Sequence, residues 1–357
     1  SDKLIIPIVF HIIHQNGPED ISMYQIEHCV EWLNTEYNAE NEKFPTIAEA
    51  FKGVAASIDV EFRLATIDPD GNCTNGVTRH YDTRTMSAND AVKVGRNWPR
   101  ENYLNVYVVN HIGSGAAGYA YYPTNNLSEV IDGLIVQHDY IGPVGTGNKN
   151  RAATISHEIG HYLNLPHTWG NSNNAGLASN CNIDDGIDDT PNTTGNEPDV
   201  GCELDKVTCG TLDNVQNFMD YAYCDVNFTE GQKAVMRATL NSPVCGRNNL
   251  WTEANLIATG TQYPREQQPT QVCQVEFKKE TETAICPGSS ISFLNRSSTG
   301  NLTYEWTFPG GTPSTSSEEN PTIVYNEEGN HDVTLTISDG TNTITETKTE
   351  YVSVLSS

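Results

Sequence analysis

The hydrophobic pattern of the first 140 residues alternates between short apolar runs and one long amphipathic segment. Residues 3–14 begin with an apolar run that is too short to cross a bilayer and is typical of a first strand. Residues 21–37 predict a helix with an apolar face formed by Met23, Ile26, Val30, Leu33 and Tyr37. Runs rich in β-branched or aromatic residues predict strands at 57–65, 103–110 and 133–140. Strands that alternate with helices indicate a mixed α/β sheet.

A second helix is predicted for residues 149–163, and Asn164 and Pro166 mark its end. Asparagine is the commonest substitute for glycine where a helix ends in a left-handed residue, and proline stops the helix from resuming. The stretch 170–213 is rich in Asn, Gly and Asp and is irregular. A loop of that length inside a domain is normally functional, or is held by disulfides and ions. A last helix is predicted for residues 230–240.

The pattern changes beyond residue 271, where short alternating runs are separated by Gly, Asn and Ser turns. These runs lie at 290–294, 302–308, 322–325 and 332–338. Such a pattern is typical of a small β-sandwich. The polar segment 263–271 contains two prolines and predicts an interdomain linker. The sequence therefore predicts an α/β domain at 1–262 and a β-sandwich domain at 272–357.

The composition is strongly acidic, since 46 Asp and Glu residues against 20 Lys and Arg residues give a formal net charge of -26 at pH 7. That charge argues against nucleic acid and against anionic membrane surfaces as partners. No apolar run has membrane length and no cationic leader precedes the first strand, so we expect a mature or trimmed chain without membrane insertion. The acidity has two interpretations: solubility in an exported protein, and calcium binding by part of the carboxylates.

The residues with the most specific chemistry are His157, Glu158, His161 and His167. Residues four apart on a helix share a face, so His157 and His161 can reach one metal ion while Glu158 lies beside the remaining coordination position. His167 reaches the same ion once the helix has ended. Zinc lowers the pKa of a bound water from about 16 to about 7, and Glu158 would accept its proton as general base. A bare histidine pair at this spacing also occurs on helix surfaces and in cores, and the third histidine makes the zinc interpretation specific.

The run HEIGHYLNLPH, which starts at His157, resembles the extended HExxHxxGxxH motif of metzincin zinc endopeptidases, with Asn164 in the glycine position. The phrase NFMDY resembles the methionine turn beneath the metal of these enzymes, with Met219 as its methionine. Together with HTWG and DDTP, it resembles the pappalysin/cytophagalysin family. The resemblance implies an α/β metzincin catalytic domain with a mixed, mostly parallel twisted sheet, a zinc helix and a methionine turn. It also implies that Tyr221 stabilises the oxyanion, with packing under the site as the alternative role.

Nine cysteines are many for a cytosolic protein, and four of them lie around the irregular stretch and the methionine turn. These are Cys181, Cys202, Cys209 and Cys224. None of their spacings is Cys-x-x-Cys, so disulfides in an exported protein are favoured over a second metal site. The family resemblance implies crossed pairs, Cys181 with Cys209 and Cys202 with Cys224.

The remaining cysteines are less constrained by the sequence. We expect Cys273 to pair with Cys286, and we expect Cys29, beside the apolar face of the first helix, to be a buried thiol. Cys73 and Cys245 are left unassigned.

Calcium is suggested by residues 182–191, which concentrate hard oxygen ligands but lack the EF-hand spacing. Pappalysin-like enzymes bind calcium near this motif, and the resemblance makes Asp185 and Thr190 the matching positions. Members of the family favour a basic residue just after the scissile bond, through an acidic residue in the loop that follows the methionine turn. That loop is shorter here, and Asp225 is our candidate for the carboxylate, a different preference being the alternative.

Residues 115–122 predict an edge strand that lines the cleft of the site. In metzincins such a strand pairs with the substrate backbone, and a plain sheet edge is the alternative. The phrases YEWTFPGG, NPTIVYNEEG and HDVTLTISDG resemble a PKD-type module, an all-β immunoglobulin-like sandwich in which Trp306, Tyr325 and Gly329 would hold the core and turns. A structural spacer and a substrate-binding module are both open for it.

These observations predict a secreted, cell-surface or periplasmic zinc endopeptidase of bacterial origin, monomeric, with calcium as a second ion and proteins or peptides as substrates. The alternatives are an adhesion or binding protein that retains a protease scaffold and a zinc hydrolase of other substrates.

Overall fold

The computed structural model describes residues 3–198, 201–264, 267, 272–281, 283–297 and 302–356. Its contacts divide the chain into two units: Ser1–Asn72 with Gly76–Tyr263, and Cys73–Asn75 with Pro264–Ser357. Most of the predicted linker at 263–271 lies outside the described residues.

The first unit contains eight strands and four helices within its described residues. The strands are β1 (Leu4–His14), β2 (Ala55–Ala56), β3 (Val60–Leu64), β4 (Val77–Tyr81), β5 (Leu104–Val109), β6 (Gly118–Tyr119), β7 (Leu134–Gln137) and β8 (Phe228–Thr229), and the helices are α1 (Met23–Tyr37), α2 (Ala153–Tyr162), α3 (Glu230–Leu240) and α4 (Glu253–Ala258).

Strand β1 is the longest strand of the main sheet of this unit, whose order is β3-β1-β5-β7-β6 with β4 also paired to β1. All pairings are parallel except that of β6 with β7, which is antiparallel. Strands β1 and β5 are almost entirely buried, because both faces of a parallel sheet are covered. Strand β6 lies at one edge of the sheet, so among the described residues one side of its backbone is not paired with another strand of this sheet.

Helix α1 forms where the apolar spacing predicted it, with Ser22 as its cap and its apolar face buried against the sheet. Helix α2 begins at Ala153 rather than at residue 149, because Asn148 caps a turn through its side chain and carbonyl. The Tyr37 hydroxyl on α1 donates to the Ser156 carbonyl on α2 at 3.0 Å. This bond joins the two helices one residue before the histidine motif.

The second unit is built from two four-stranded antiparallel sheets, in the orders β12-β14-β10-β9 and β13-β11-β15-β16. Its strands are β9 (Phe277–Lys279), β10 (Ser289–Asn295), β11 (Thr303–Thr307), β12 (Gly311–Thr312), β13 (Thr315–Ser316), β14 (Thr322–Tyr325), β15 (Gly329–Ser338) and β16 (Thr343–Val354). Trp306 and Tyr325 are fully buried in its core, and Gly329 has a φ of 119°, which favours glycine. The predicted fold class, an α/β domain with an all-β sandwich, is confirmed.

Three disulfides form, and two of them are the crossed pairs that the resemblance implied, Cys181–Cys209 and Cys202–Cys224. The predicted pairing of Cys273 with Cys286 is wrong. Cys273 pairs with Cys73, 200 positions earlier in the chain, because residues 73–75 belong to the second unit. Cys286 is an exposed free thiol.

Cys29 and Cys245 are buried free thiols, as we expected for Cys29. Among the described residues, no helix is long and apolar enough to traverse a lipid bilayer.

Candidate metal centre and substrate cleft

The C-terminal end of helix α2 turns the chain so that three histidines meet. Asn164 has a φ of 74°, in the left-handed region. The Leu165 amide donates to the Gly160 carbonyl, and the Asn164 amide donates to the His161 carbonyl, both at 2.9 Å. These two bonds form a complete Schellman motif, which reverses the chain after the last helical turn. His167 is thereby brought back to the helix face that carries the other two histidines.

His157, His161 and His167 are buried together, and their ligand atoms all lie within 4.8 Å of one another. No other group of three or more His, Cys, Asp or Glu side chains with this spacing occurs among the described residues. Since all three ligands are imidazoles, the donor set is the one that zinc prefers when a position is kept open for water.

Each ring is held in the tautomer that binds a metal. The Nδ1 atoms of His157, His161 and His167 donate to the carbonyl oxygens of Phe218, Leu165 and Ser172, at 2.7, 2.7 and 3.0 Å. A carbonyl oxygen can only accept, so each Nε2 is left with its lone pair.

Two unprotonated Nε2 atoms, those of His161 and His167, lie 3.2 Å apart. Lone pairs at this distance repel each other unless a cation accepts both. Burial lowers the pKa of His161 to about 4 and that of His167 well below its usual range, so these two rings do not relieve the repulsion by protonation at neutral pH. The site therefore fits a zinc ion.

Glu158 follows the first ligand and is buried beside the edge strand. Its carboxylate accepts a hydrogen bond from the Ala120 backbone amide, and burial raises the pKa of Glu158 to about 8. A Cβ at Gly118 would lie 3.0 Å from Glu158 Cγ and 3.2 Å from its Oε1. The edge strand thus approaches Glu158 so closely that a side chain at position 118 would require Glu158 to shift by a few tenths of an ångström.

The methionine turn packs directly under helix α2. Met219 is fully buried, and a Cβ at Gly160 would lie 2.4 Å from its Sδ, so glycine is required for this contact. The Asn217 side chain accepts from the Met219 amide at 2.9 Å and exchanges two hydrogen bonds with Gln232. Gln232 also completes the capping box of α3, so the turn is fixed to the start of that helix.

Tyr221 lies next to the histidines, with its ring centroid 4.9 Å from that of His167 and 5.5 Å from that of His157. Its pKa is raised by burial and by the nearby Glu158 carboxylate, so the phenol remains a proton donor. Sequence reasoning assigned no role to Trp169, which stacks on His167 at 4.5 Å with nearly parallel rings. The phrase HTWG contained the only signal for this contact.

The substrate cleft has a volume of about 1120 Å³ and contains the histidines, Glu158 and Tyr221 in its wall. Ser87–Asp90, Ile112–Ala116 and Gly118–Tyr122 also line this cleft. Residues predicted as a metal site, a base, an edge strand and an oxyanion donor are therefore brought together in one cleft.

A side pocket of about 380 Å³ adjoins the cleft and contains Asp225 in its lining. Asp225 Oδ1 is buried and has no hydrogen-bond partner in the part of the chain that the structure describes. Burial, followed by the negative charges of Glu36 and Asp220, raises the pKa of Asp225 well above its usual range. Asp220 lines the same pocket, but its Oδ1 accepts from Asn196 and from the Ala222 amide. Of the two aspartates in this pocket, Asp225 is thus the one with a buried oxygen that no donor of the described residues satisfies.

Asp185 and Thr190 lie together in the irregular stretch, away from the three histidines in sequence. The Thr190 hydroxyl is 2.7 Å from Asp185 Oδ2 and 2.7 Å from the Ile187 carbonyl, and the Ile187 amide donates to Asp185 Oδ1. Burial raises the pKa of Asp185 to about 6, as expected for a carboxylate without a neighbouring cation. Within the described residues, Asp185 does not belong to a group of three or more His, Cys, Asp or Glu side chains that could share a metal ion.

A helix with two metal-binding histidines, a third histidine after a left-handed turn and a methionine turn beneath them define a metzincin metalloendopeptidase. The sequence model of the family described as pregnancy-associated plasma protein-A, the pappalysins, matches residues 86–241, and a PKD domain model matches residues 276–354.

Solved structures and curated relatives agree with this class. Mature mirolysin of Tannerella forsythia in complex with a cleaved peptide superposes with a TM-score of 0.65 at 29% identity, over 74% of this chain and 100% of that chain. A promirolysin mutant of Tannerella forsythia superposes with a TM-score of 0.65 at 30% identity, over 74% of this chain and 88% of that chain. An extracellular metalloprotease of Arthroderma otae is 31% identical over 49% of this chain and 74% of the relative. The chain belongs to the pappalysin family of zinc metalloendopeptidases and carries a C-terminal PKD domain.

Proposed function

We propose that this chain is a secreted endopeptidase that cleaves extended peptides, with zinc held by His157, His161 and His167 and with Glu158 as the proton carrier. The observation that carries the proposal is the convergence of three Nε2 lone pairs beside a buried glutamate in one open cleft. When bound, zinc supplies a Lewis acid for the scissile carbonyl and lowers the pKa of a water ligand.

Glu158 is the residue that moves protons in this proposal. Its carboxylate accepts a proton from the attacking water and returns that proton to the nitrogen of the leaving amine. The Ala120 amide fixes the orientation of the carboxylate, and burial keeps its pKa close to neutrality, so that the group can both accept and donate. Tyr221 contributes a phenol hydrogen bond to the oxyanion.

The edge strand is the proposed platform for the peptide backbone. Strand β6 is the last strand of the sheet, and residues on either side of it line the cleft. A peptide that adds to its free edge gains main-chain hydrogen bonds irrespective of its side chains. Specificity then depends on the pockets beside the strand.

Asp225 is the proposed specificity residue for a basic side chain just after the scissile bond. The support is its unpartnered Oδ1 in a pocket that opens beside Glu158 and Tyr221. A guanidinium or ammonium group would satisfy this oxygen and neutralise the carboxylate.

Calcium bound by Asp185 and Thr190 is also part of the proposal. A cation beside Asp185 would offset the burial that raises the pKa of this carboxylate. Secretion is supported by the two crossed disulfides and by relatives named as extracellular metalloproteases. A monomer and a bacterial source remain predictions.

One experiment separates the candidate functions. Purified protein is analysed for bound metal and assayed on casein and on a peptide library, beside a Glu158→Ala variant. We expect zinc and proteolysis in the parent, and retained zinc with a loss of about 100-fold to 10,000-fold in kcat in the variant. Parental cleavage by zinc-loaded Glu158→Ala would remove the mechanism. Absence of zinc would favour the binding-protein alternative, and zinc without proteolysis would favour a hydrolase of other substrates.

A further inference from the structure

The edge strand is held by a polar cluster that consists of Asp90, Lys93, Tyr119 and Tyr121, of which Lys93 is fully buried and the other three are partly exposed. The Tyr121 hydroxyl donates to Asp90 Oδ2 at 2.6 Å, and the Tyr119 hydroxyl donates to Asp90 Oδ1 at 3.0 Å. Tyr119 and Tyr121 are two positions apart, so in extended chain their side chains leave on the same side. One carboxylate therefore binds both tyrosines.

Lys93 fixes this carboxylate from within the fold. The Lys93 side chain is fully buried, and its Nζ lies 3.1 Å from Asp90 Oδ1. The same Nζ donates to the carbonyls of Ile131 and Gly133 at 2.7 and 3.3 Å, which accounts for its three protons. A buried ammonium without a carboxylate partner is strongly unfavourable, so Lys93 keeps Asp90 in place.

The strand that the cluster supports is only two residues long. Both of its residues pair with β7, Gly118 with Val136 and Tyr119 with Ile135, and the Gln137 amide donates to the neighbouring Ala117 carbonyl at 2.9 Å. Between the two tyrosines lies Ala120, whose amide donates to Glu158. A shift of this segment would move the strand edge and the Ala120 amide together.

We propose that Asp90, anchored by Lys93, is a positioning residue that holds the edge strand in register for the peptide backbone. Asp90, Tyr119 and Tyr121 all line the cleft, but the hydrogen bonds of Asp90 are already committed to the cluster. Asp90 therefore acts through the strand rather than through the substrate. This inference rests on the proposed function, because it requires that the strand bind peptides.

The test uses two variants, Tyr121→Phe and Asp90→Asn, and two peptides with the same scissile bond. One peptide extends several residues to either side of the bond, and the other carries only short blocked flanks. Removing a hydrogen bond to a charged acceptor changes an equilibrium by about 10-fold to 100-fold. We expect Tyr121→Phe to raise KM for the long peptide by about 10-fold with a much smaller change for the short one, and Asp90→Asn to have a larger effect of the same kind.

Tyr24→Phe is the matched control, because Tyr24 is an exposed tyrosine on α1 that packs against His28 and lies outside the cluster. Zinc content and melting temperature are measured for each variant. If Asp90→Asn fails to fold, Tyr121→Phe still decides the question, because it leaves the Asp90–Lys93 pair intact.

The inference would be overturned if KM rose equally for the long and the short peptide. It would also be overturned if zinc-loaded Tyr121→Phe had the same kcat and KM as the parent. A parent protein that cleaves neither peptide would refute the proposed function instead. In a double-mutant cycle, the losses caused by Asp90→Ala and Tyr121→Phe should be less than additive, since Asp90→Ala removes the acceptor of the hydrogen bond that Tyr121→Phe also deletes. Additive losses would contradict the shared contact.

Discussion

At the scale of single residues, the proposed specificity role of Asp225 predicts opposing effects on stability and on recognition. Its buried Oδ1 has no hydrogen-bond partner among the described residues, and burial with the charges of Glu36 and Asp220 raises its pKa. The folded state therefore binds the Asp225 proton more tightly than the unfolded chain, whose aspartates titrate near pH 4. This carboxyl group lowers the stability of the free enzyme progressively as the pH rises above about 4.

We predict that Asp225→Asn melts at a higher temperature than the parent near neutral pH, and that the difference shrinks towards pH 4. The ratio of kcat/KM for a peptide with arginine after the scissile bond to kcat/KM for one with leucine there should fall by about 10-fold to 100-fold in the same variant. The reason is that the ion pair between the arginine and the Asp225 carboxylate is lost. Asp70→Asn, at an exposed turn, is the control. Unchanged selectivity in Asp225→Asn would exclude it as the specificity residue.

The sequence was most informative where chemistry depends on short spacing. His157, His161 and His167 could be predicted because helical periodicity and one turn bring them together. The contact of Gly118 with Glu158 could not be predicted, because it joins two elements whose separation only the folded sheet defines. The same holds for Glu36, which accepts a hydrogen bond from the Ser156 hydroxyl on the zinc helix.

At the scale of elements, the end of helix α2 decides whether the third histidine reaches the metal. The Schellman bonds require a left-handed residue at position 164, where Asn164 has a φ of 74°. For most residues with a Cβ, this conformation is unfavourable by roughly 1–2 kcal/mol, whereas for glycine it is not. Helices with a regular apolar face were predicted well, but strand β4 was missed because only one of its five residues is fully buried.

We therefore predict that Asn164→Ala lowers the free energy of unfolding by about 1 kcal/mol and weakens zinc binding, while Asn164→Gly preserves both. Thermal melting and competition with a chromophoric zinc chelator measure the two effects. The glycine variant is the control for loss of the asparagine side chain. A parental zinc affinity in Asn164→Ala would mean that His167 is held by other contacts.

At the scale of the whole molecule, disulfides rather than helices or strands hold the irregular stretch beside the metal site. The irregular stretch between α2 and α3 contains few hydrogen-bonded elements, and the pairs Cys181–Cys209 and Cys202–Cys224 cross within it. Family resemblance indicated these pairs, but nothing in the sequence indicated that Cys73 pairs with Cys273. A link across 200 positions depends on which unit residues 73–75 join, and short-range patterns carry no such information.

The two crossed disulfides should differ in their effect on activity, because only one loop encloses the methionine turn. The Cys202–Cys224 loop spans 22 positions and contains Met219 and Tyr221, whereas the Cys181–Cys209 loop spans 28 and ends before them. Loop closure contributes up to about 3.5 kcal/mol in either case, so both paired Cys→Ser variants should melt at lower temperature by similar amounts.

When activity is measured well below both melting temperatures, it should fall further in Cys202→Ser/Cys224→Ser than in Cys181→Ser/Cys209→Ser. The reason is that loss of the Cys202–Cys224 bond leaves the methionine turn beneath the metal site free to move. Cys286→Ser, which removes an exposed free thiol, controls for the substitution itself. Equal activity in the two paired variants would mean that the bonds of Asn217 to Met219 and Gln232 hold the methionine turn without the disulfide.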